Sequence, residues 1–486
     1  MLMNIPHKSN VISFPLLILI VFLPSCIKLE NDTPQNPMLP IEQAGGAFNL
    51  WFHSLQNYKS PALPMAVMAD QLTWDFESPA FSKFGAEPRI QFANTRNSQD
   101  NLFTQQFWSD SYTTLYYANN ALNEIKKSTD VNLTDYYVHR MKAWCYFIQG
   151  IVHGYLGLCF DQAYIINETT SPTVFVLYPY HQVITKAADY LYKAAIMSDE
   201  YDFTITNNWI LGYEITNTQL AQLANTFAAR FLLYSSRNAS QNELANWSNI
   251  LELANNGITF DFEPEFYFEL LSDNLIVNGM AEGKARIDCR IINLMDPDHP
   301  ARYPANGEPP DPSYATSEDD RLLSDFEHLE YINFSTSLGY YLFSHYRFKR
   351  YDDWINYYHG SIPIIRKEEL ELIKAEALVH LGNLAEAITI LNNGTRVTRG
   401  KLLPLESDSQ KEKILEAIFY ERDIELTMTG LGISFFDMRR RDMLQYGTLL
   451  HFPVPANILL NAEMDLYTFG GVENADGINT SNAGWF

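Results

Sequence analysis

The sequence contains few cysteines and few basic residues. Only four of its 486 residues are cysteine. Two of them, Cys145 and Cys159, fall in one expected helix about 21 Å apart, which is too far for a disulfide. Lysine and arginine total 34 against 58 acidic residues, which gives a formal charge of −24. The cysteines therefore supply neither a disulfide framework nor a metal-binding spacing, and nucleic acid is a poor partner for so acidic a chain.

The sequence also lacks the short motifs of common enzyme classes. It contains no Gly-x-Ser-x-Gly elbow, no His-Glu-x-x-His pair, no phosphate-binding glycine loop and no dinucleotide fingerprint. Asp296, Asp298 and His299 could ligate a metal, but a proline-flanked acidic turn without a fourth ligand is more often a solvated loop. We therefore expect no metal, no cofactor and no catalytic residues.

The first 25 residues are typical of a secretory signal. Their apolar run, residues 11–22, is too short for a membrane span and suits a signal peptide. The sequence Leu-Pro-Ser-Cys that ends at Cys26 resembles a bacterial lipobox, in which the cysteine is acylated and begins the mature chain. An ordinary cleaved signal with an incidental cysteine is the alternative. We expect a signal peptide over residues 1–25, an acylated tether over 26–42, and a single body over 43–486.

Aromatic residues are abundant, at 14% of the chain, with 29 tyrosines and 30 phenylalanines. Packing between helices explains most of them, whereas stacking of flat sugar faces on exposed rings would explain the others. With 47% hydrophobic and 19% charged residues, the composition is that of a globular protein. A strongly acidic chain suits a neutral ligand, cation coordination or simple solubility.

Helical periodicity covers much of the body. Apolar residues at helical spacing predict helices over residues 43–59, 102–127, 135–158, 180–197, 217–237, 242–256 and 367–381. Short polar turns alternate with half-buried helices, which is the pattern of a helical repeat. Residues 378–388 resemble a tetratricopeptide turn, with a glycine at the corner, Gly382, and an alanine, Ala387, that admits the facing helix.

Two stretches without a clear period contain the candidate ligand-binding residues. The loop over residues 65–101 and the overlay over residues 257–365, for which we expect loops, short helices and a hairpin, are rich in aromatic and polar side chains. Long loops of this kind often bind ligands. The candidates are Trp74, Asp75, Arg96, Asn97, Tyr340, Tyr341 and Trp354. For each of them, packing in the core is the alternative to contact with a sugar.

Residues 411–428 predict a helix that carries charges inside its apolar face. At about 100° per residue, one wide arc holds Ile414, Leu415, Ile418, Phe419 and Leu426. Glu421, Arg422 and Glu425 fall within the same arc, so they need charged partners in the fold. We expect the solvent side of the helix to carry Glu412, Glu416, Asp423 and Thr427.

The partners for these charges follow the helix directly. Gly430 and Gly432 end it, and an acidic residue and several arginines come next. We interpret the set as a structural charge network made of Glu421, Arg422, Glu425, Asp437, Arg439 and Arg440. A glycosidase pair at Glu421 and Glu425 is the alternative, but neighbouring arginines hold both carboxylates ionised, whereas a general acid needs a raised pKa.

The same residues carry a family resemblance. The order Glu-Arg-x-x-Glu-Leu over residues 421–426, Phe-Asp-x-Arg-Arg over 436–440 and Phe-Pro-Val-Pro over 452–455 resembles the C-terminal signature of the SusD/RagB family of surface nutrient-binding lipoproteins. The segment from Lys142-Ala143-Trp144 through Gly157 and Asp161 resembles a second conserved block of that family. The resemblance implies an all-α superhelix of tetratricopeptide-like repeats, with an irregular overlay of loops and short hairpins.

The resemblance also implies a function. A member of this family would be lipid-anchored at the outer membrane and face the cell exterior. It would bind an oligosaccharide or another nutrient and deliver it to a TonB-dependent transporter of the SusC type, without doing chemistry. Two alternatives remain open: a glycoside hydrolase on a helical toroid, and a subunit that caps the transporter without binding a ligand.

Overall fold

The computed structural model describes residues 40–57, 59–74, 83–127, 134–171, 176–266, 275–302, 314–331, 343–353, 360–361 and 363–486. Residues 40–486 form one compact unit. The predictions for residues 1–39, which include Cys26, lie outside the described residues, as do those for Asp75, Tyr340, Tyr341 and Trp354. The domain boundaries drawn from the sequence therefore stay predictions.

The described chain is predominantly helical, which confirms the all-α prediction. In chain order the helices are α1 Pro40–Gln56, α2 Ala62–Met68, α3 Gln105–Lys127, α4 Asp135–Cys159, α5 Tyr180–Glu200, α6 Asn217–Tyr234, α7 Ala239–Glu243, α8 Trp247–Asn255, α9 Leu275–Met280, α10 Cys289–Met295, α11 Arg321–Asp325, α12 Lys367–His380, α13 Leu384–Asn393, α14 Thr395–Thr398, α15 Lys411–Glu425, α16 Ile433–Arg440 and α17 Ala456–Asn461. Short 3₁₀ turns span Lys83–Gly85, Gln99–Phe103 and Val472–Asn474.

Among the described residues the strands are short, and each pairs with one other strand. They are β1 Leu72–Trp74, β2 Gln162–Tyr164, β3 Leu177–Pro179, β4 Thr204–Ile205, β5 Ile215–Thr216, β6 Glu265–Phe266, β7 Ala285–Ile287, β8 Phe326–His328, β9 Tyr346–Phe348 and β10 Gly360–Ser361. The antiparallel pairs are β1 with β7, β2 with β3, β4 with β5, β6 with β10, and β8 with β9. Two of these pairs, β6 with β10 and β8 with β9, lie within residues 257–365, where the sequence predicts the overlay, whereas β2 with β3 and β4 with β5 lie outside it.

The long helices stack in chain order. Helix α3 packs against α1 and α4, α4 against α5, α5 against α6, α6 against α8, α8 against α12, and α12 against α13 and α15. Contacts between successive elements are typical of a solenoid. Helix α4 lies at the centre of the first part and is buried on nearly every side from Met141 to Cys159.

Close packing around α4 depends on glycine. A Cβ atom added at Gly154 would lie 2.0 Å from the Phe231 ring of α6, and one added at Gly150 would lie 2.5 Å from the Leu191 side chain of α5. Both distances are far below van der Waals contact. The two glycines weaken the helix by propensity but let α5 and α6 approach it.

The helix predicted over residues 242–256 is divided in two. Asn246 has non-helical backbone angles, and its side-chain oxygen accepts a hydrogen bond from the Asn249 backbone N–H at 3.2 Å. An asparagine in this position caps the start of a new helix. Helix α7 therefore ends at Glu243 and α8 begins at Trp247.

A first cluster of buried charges joins α12, α15 and α16. Arg440 binds both oxygens of Glu376, at 2.7 and 2.8 Å, and Asp437 at 2.5 Å. Arg422 donates to Asp437 at 3.1 Å and also contacts Glu376, while Arg441 reaches Asp437 at 2.7 Å. Although burial alone would raise the pKa of Asp437, the guanidinium groups of Arg440, Arg441 and Arg422 hold it well below its ordinary value.

A second cluster ties the overlay to α15. Arg321 bonds both oxygens of Glu421, at 2.7 and 2.8 Å, and one oxygen of Glu425 at 3.2 Å. It also bonds both oxygens of Asp319, at 2.9 and 2.7 Å, and Arg399 reaches Glu425 at 2.6 Å. Each carboxylate is therefore paired inside the protein, which is what a buried charge requires.

The prediction for the outer side of α15 is partly wrong. The sequence places Asp423 and Thr427 toward solvent, but they are 7% and 0% exposed. Asp423 accepts two hydrogen bonds from Arg290 of α10, at 2.8 and 3.1 Å. The cause is the overlay, which covers a face of α15 that the helical pattern alone assigns to water. The helix also ends at Glu425, three residues earlier than predicted.

A candidate ligand-binding groove

A groove of about 1030 Å³ lies between α3, the β2–β3 hairpin and α17. Helix α3 forms one wall, the hairpin forms the second, and α17 with the residues after it forms the third. The lining side chains are Trp108, Ser109, Tyr112, Thr113, Tyr116, Gln162, Tyr164, Ile166, Val176, Leu177, Ile458, Asn461, Ala462 and Met464. None of these described lining residues is charged.

Three aromatic residues of α3 line the groove at helical spacing. Trp108, Tyr112 and Tyr116 are four residues apart, so they lie on one face of the helix. Trp108 is 2% exposed, Tyr112 is partly buried and Tyr116 is 61% exposed. The stripe thus runs from the core to the surface, and it presents Tyr116 as an exposed ring at the rim.

The rings are held by one another and by the hairpin. The centroid of Tyr164 lies 5.6 Å from that of Tyr112 and 5.9 Å from that of Trp108, both edge to face. The Tyr112 hydroxyl accepts a hydrogen bond from the Tyr164 backbone N–H at 2.7 Å and donates one to the Tyr164 carbonyl at 3.0 Å. Burial raises the pKa of the Tyr112 hydroxyl well above its ordinary value, so it remains protonated and can donate.

A buried histidine of α4, His153, holds the loop after β2 through a backbone hydrogen bond. The Nδ1 atom of His153 lies 2.6 Å from the Gln149 carbonyl, and its Nε2 atom accepts a hydrogen bond from the Ile166 backbone N–H at 3.2 Å. These bonds assign the proton to Nδ1. Burial lowers the pKa of His153 to about 4, so the ring is neutral and supports the backbone at Ile166.

A polar chain lies behind Gln162. The Gln162 Nε2 atom donates to the Tyr467 hydroxyl at 2.9 Å, and that hydroxyl lies 2.9 and 3.0 Å from the two oxygens of Asp161. The Val454 backbone N–H also donates to the Tyr467 hydroxyl, at 3.2 Å. Burial raises the pKa of the Asp161 carboxyl to about 7, although Tyr467 donates to it. Residues from β2 and from the C-terminal segment therefore form one hydrogen-bonded chain that ends at the groove.

The arrangement suits an uncharged ligand that has flat apolar faces and polar groups at its edges. Tyrosine and tryptophan rings offer apolar surfaces, and the side chains of Gln162, Asn461, Ser109 and Thr113 offer neutral donors and acceptors. A few placed polar groups in a mostly apolar cleft are typical of small-molecule sites. The described lining contains no nucleophile paired with a base and no pair of carboxylates.

The three described ligand-binding candidates from the loops, Trp74, Arg96 and Asn97, are not among the lining residues of this groove. Trp74 belongs to β1, opposite Ala285 of β7, and is 3% exposed, so the structure supports packing, the alternative given for it. Arg96 and Asn97 are exposed in the segment before the Gln99–Phe103 turn. The neighbouring Asn94 side chain donates to the Val454 and Tyr467 carbonyls, at 3.0 and 2.8 Å, so this segment packs against the C-terminal residues.

The residues of the expected charge network lie in the core, away from the groove. Glu421, Arg422, Glu425, Asp437 and Arg440 belong to the two clusters described above. Arg439 differs, because it donates to the carbonyls of Leu158, Leu450 and Tyr234, at 3.0, 2.7 and 2.9 Å. It holds three segments of backbone together and pairs with no carboxylate of the described residues.

The acidic turn at residues 296–299 is explained by its own hydrogen bonds. The Asp296 carboxylate accepts from the backbone N–H groups of Asp298, at 3.1 Å, and Thr316, at 2.7 Å. Within the described ranges, no three histidine, cysteine or acidic side chains lie close enough together to hold a metal ion. No helix in the described part of the chain is both long and apolar enough to cross a membrane.

The groove residues were missed in the sequence because they come from three distant segments. The signal that could have found them is the aromatic stripe at residues 108, 112 and 116. The stripe lies beside the apolar face of α3 that is formed by Phe107, Leu115, Ala118 and Leu122, and its end, Tyr116, is 61% exposed.

Part of the chain matches a known family. Residues 310–462 match the model of the SusD family, a range that includes both charge clusters and α17. No curated protein sequence matches the chain.

Several solved structures share the fold. A SusD superfamily protein from Parabacteroides distasonis is 14% identical with a TM-score of 0.62, and the match covers 87% of this chain and 98% of that chain. Surface glycan-binding protein A from Bacteroides uniformis is 13% identical with a TM-score of 0.58, covering 84% and 91%. A SusD-like carbohydrate binding protein from Bacteroides fragilis is 17% identical with a TM-score of 0.56, covering 82% and 85%.

Proposed function

We propose that the chain is a member of the SusD family, whose model matches residues 310–462, and that it binds a neutral oligosaccharide in the groove between α3, the β2–β3 hairpin and α17. The observation that carries this proposal is the aromatic stripe of Trp108, Tyr112 and Tyr116, which ends in an exposed ring beside neutral amide and hydroxyl groups. Sugars have the matching chemistry, because one face of a pyranose presents C–H groups and its edges present hydroxyls.

The contacts of such a ligand follow from the lining. A sugar ring would stack on Tyr116, where the exposed ring face loses water on contact. Its hydroxyls would bond to Gln162, Asn461, Ser109 and Thr113. A volume of about 1030 Å³ is at the upper end of the range for small-molecule sites, so several linked sugar rings fit better than one.

Charge favours a neutral ligand. The described lining has no lysine or arginine to pair with a uronic acid or a sulfate, and the whole chain carries a formal charge of −24. An anionic polymer would be repelled by this field. Neutral oligosaccharides avoid that cost.

Hydrolysis of the ligand is not expected. Glycosidases use two carboxyl groups about 5–9.5 Å apart on either side of the bond they cleave, and the described lining provides none. Glu421 and Glu425 are 1% and 0% exposed and are paired with arginines, so no sugar reaches them. The protein would therefore bind its ligand and release it unchanged.

The cellular role is a further part of the proposal. The lipobox-like sequence at Cys26 supports acylation and anchoring at the outer face of the outer membrane. The match to the SusD family model supports delivery of the ligand to a TonB-dependent transporter of the SusC type. The carbohydrate-binding protein from Bacteroides fragilis and the glycan-binding protein from Bacteroides uniformis, which share the fold, support a glycan as the cargo.

A binding screen tests the proposal. The purified protein is titrated calorimetrically with neutral malto-, cello-, xylo- and manno-oligosaccharides, and the sugars are then analysed by chromatography. We expect saturable binding of at least one of them without cleavage. Cleaved product would establish a glycoside hydrolase instead. Co-purification with a large outer-membrane transporter, combined with no binding on a broad glycan array, would establish a capping subunit.

A further inference from the structure

We propose that Gln162 sets the hydrogen-bonding preference of the groove, because the chain Asp161–Tyr467–Gln162 fixes its side-chain amide with the carbonyl oxygen toward the ligand. The inference rests on the proposed function, since it concerns the same groove. It names the ligand feature that the groove selects: a hydroxyl group that donates a hydrogen bond at the position of Gln162.

The orientation of the amide follows from counting hydrogen bonds at Tyr467. A phenol hydroxyl has one proton to donate and two lone pairs that accept. The Tyr467 hydroxyl lies within 3.0 Å of both Asp161 oxygens, and an ionised carboxylate only accepts. The Tyr467 proton must therefore go to Asp161. The two lone pairs are then filled by the Val454 N–H and by Gln162.

This count determines which group of the Gln162 side-chain amide faces Tyr467. Because Tyr467 has no second proton, its partner on Gln162 must be the NH₂ group and not the carbonyl oxygen. The assignment thus follows from the chemistry of the chain and not only from the placement of two atoms that look alike. No donor from the described residues reaches the Gln162 Oε1 atom, and Gln162 lines the groove. The free acceptor is therefore available to a ligand hydroxyl.

Protonation of Asp161 would reverse the direction of the hydrogen bonds between Asp161, Tyr467 and Gln162. A carboxylic acid can donate its proton to Tyr467, whose own proton then becomes available to Gln162 Oε1. Tyr467 would still accept two bonds, from Asp161 and from the Val454 N–H, so every group stays satisfied. The Gln162 amide would turn over and present its NH₂ group to the groove. The groove would change from hydrogen-bond acceptor to donor with no change of shape.

The surroundings of Asp161 place this change near neutral pH. Burial raises the pKa of the carboxyl to about 7, against the effects of Tyr467, backbone N–H groups and the positive charge of Arg237. Arg237 also donates to His451 Nδ1 at 3.1 Å and to the Gly157 carbonyl at 2.6 Å, and burial keeps the pKa of His451 well below its ordinary value. Asp161 is therefore the group of this cluster that titrates near pH 7.

The orientation can be measured without any ligand. The probe is the side-chain ¹⁵NH₂ signal of Gln162 in the full protein labelled with ¹⁵N-glutamine, assigned by its absence from Gln162→Met. Between about pH 5 and about pH 9 we expect the signal to shift with a midpoint near pH 7 in the wild type. In Asp161→Asn and Tyr467→Phe the shift should be lost, while the control Tyr446→Phe, at a tyrosine 50% exposed, keeps it.

A second experiment, with ligands, tests whether Gln162 determines which hydroxyl group the groove prefers. Members of the neutral oligosaccharide panel are compared with versions methylated at single hydroxyls, at about pH 8. We expect one methylation to weaken binding by about tenfold in the wild type, as loss of one hydrogen bond predicts, and by less than about twofold in Gln162→Met. Equal losses in both proteins would overturn the specificity role of Gln162.

The two experiments separate this inference from the proposed function. A Gln162 signal that does not shift with pH in the folded wild-type protein would overturn the relay, whether or not sugars bind. A pH-dependent signal without binding of any oligosaccharide would support the relay and would instead count against the proposed function.

Discussion

The Tyr112 hydroxyl of α3 satisfies both backbone groups of Tyr164 in β2, accepting from its N–H at 2.7 Å and donating to its carbonyl at 3.0 Å. Residues 52 positions apart are thereby held in one geometry. The bond pair fixes the hairpin wall of the groove against its helix wall, and the edge-to-face contact of the two rings adds to it. Because this wall is already ordered before the ligand binds, less conformational entropy is lost on binding.

Tyr112→Phe tests this fixation. The substitution removes one oxygen atom and leaves the N–H and carbonyl of Tyr164 without their partner in a partly buried place. We expect a loss of about 1–3 kcal/mol of unfolding free energy, measured by urea denaturation. Ligand affinity should fall as well. The matched control is Tyr192→Phe, at a tyrosine that is 63% exposed; equal stability of the two variants would contradict the role of Tyr112.

Tyr116→Ala tests the exposed platform. The ring is 61% exposed, so its removal should leave stability within about 0.5 kcal/mol. Loss of an aromatic contact at a binding surface costs about 1–2 kcal/mol, which corresponds to a rise of about five- to thirtyfold in Kd. Tyr192→Ala removes an equally exposed ring from α5 and should leave the Kd unchanged. A Kd that responds to both variants alike would point away from the groove.

Arg422→Ala tests the structural role of the first charge cluster. The substitution leaves Glu376 and Asp437 short of a positive partner in a buried site, so we expect a loss of about 3–5 kcal/mol in unfolding free energy. The affinity of the remaining folded protein should be unchanged. Lys127→Ala breaks a surface ion pair and should cost less than about 1 kcal/mol. Lost affinity at full stability would contradict the structural role.

His153 gives the stability of the protein a pH dependence. Because burial lowers the pKa of His153 to about 4, the folded state holds the ring neutral down to that pH, whereas the unfolded chain protonates it near its ordinary pKa of 6.5. Between these values the unfolded state binds the additional proton, so stability is full above pH 6.5 and falls as the pH decreases toward 4. The expected loss is on the order of 3 kcal/mol.

His153→Gln isolates this contribution. Glutamine can accept the Ile166 N–H hydrogen bond but does not titrate. Denaturation curves measured for both proteins across this pH range should give a smaller decrease for the variant. Parallel curves would show that His153 is not the group responsible.

Much of the fold could be predicted from the sequence because the apolar spacing that marks a helix lies within the helix itself. The apolar spacing in α4, α5 and α12 needs no knowledge of neighbouring segments, and the predicted helices begin or end within a few residues of the observed ones. Burial of Glu421, Arg422 and Glu425 also followed from their positions among apolar residues. Asp423 and Thr427 could not be placed, since the overlay that covers them is distant in sequence.

The groove could not be predicted in the same way. It combines α3 with β2, about 50 residues later, and with α17, some 300 residues further on, and no periodicity connects these segments. The candidates in the loops were chosen for chemical type alone, and one of them, Trp74, is in the core. An exposed ring at the end of an aromatic stripe, such as Tyr116, is the local signal that points to a site.

The most direct measurement is a crystal structure of the protein bound to the oligosaccharide that binds best in the screen. We predict a sugar ring stacked on Tyr116 and a sugar hydroxyl at about 2.7–3.0 Å from Gln162 Oε1. A sugar bound elsewhere on the protein, with the groove between α3 and the hairpin unoccupied, would contradict the assignment of the site.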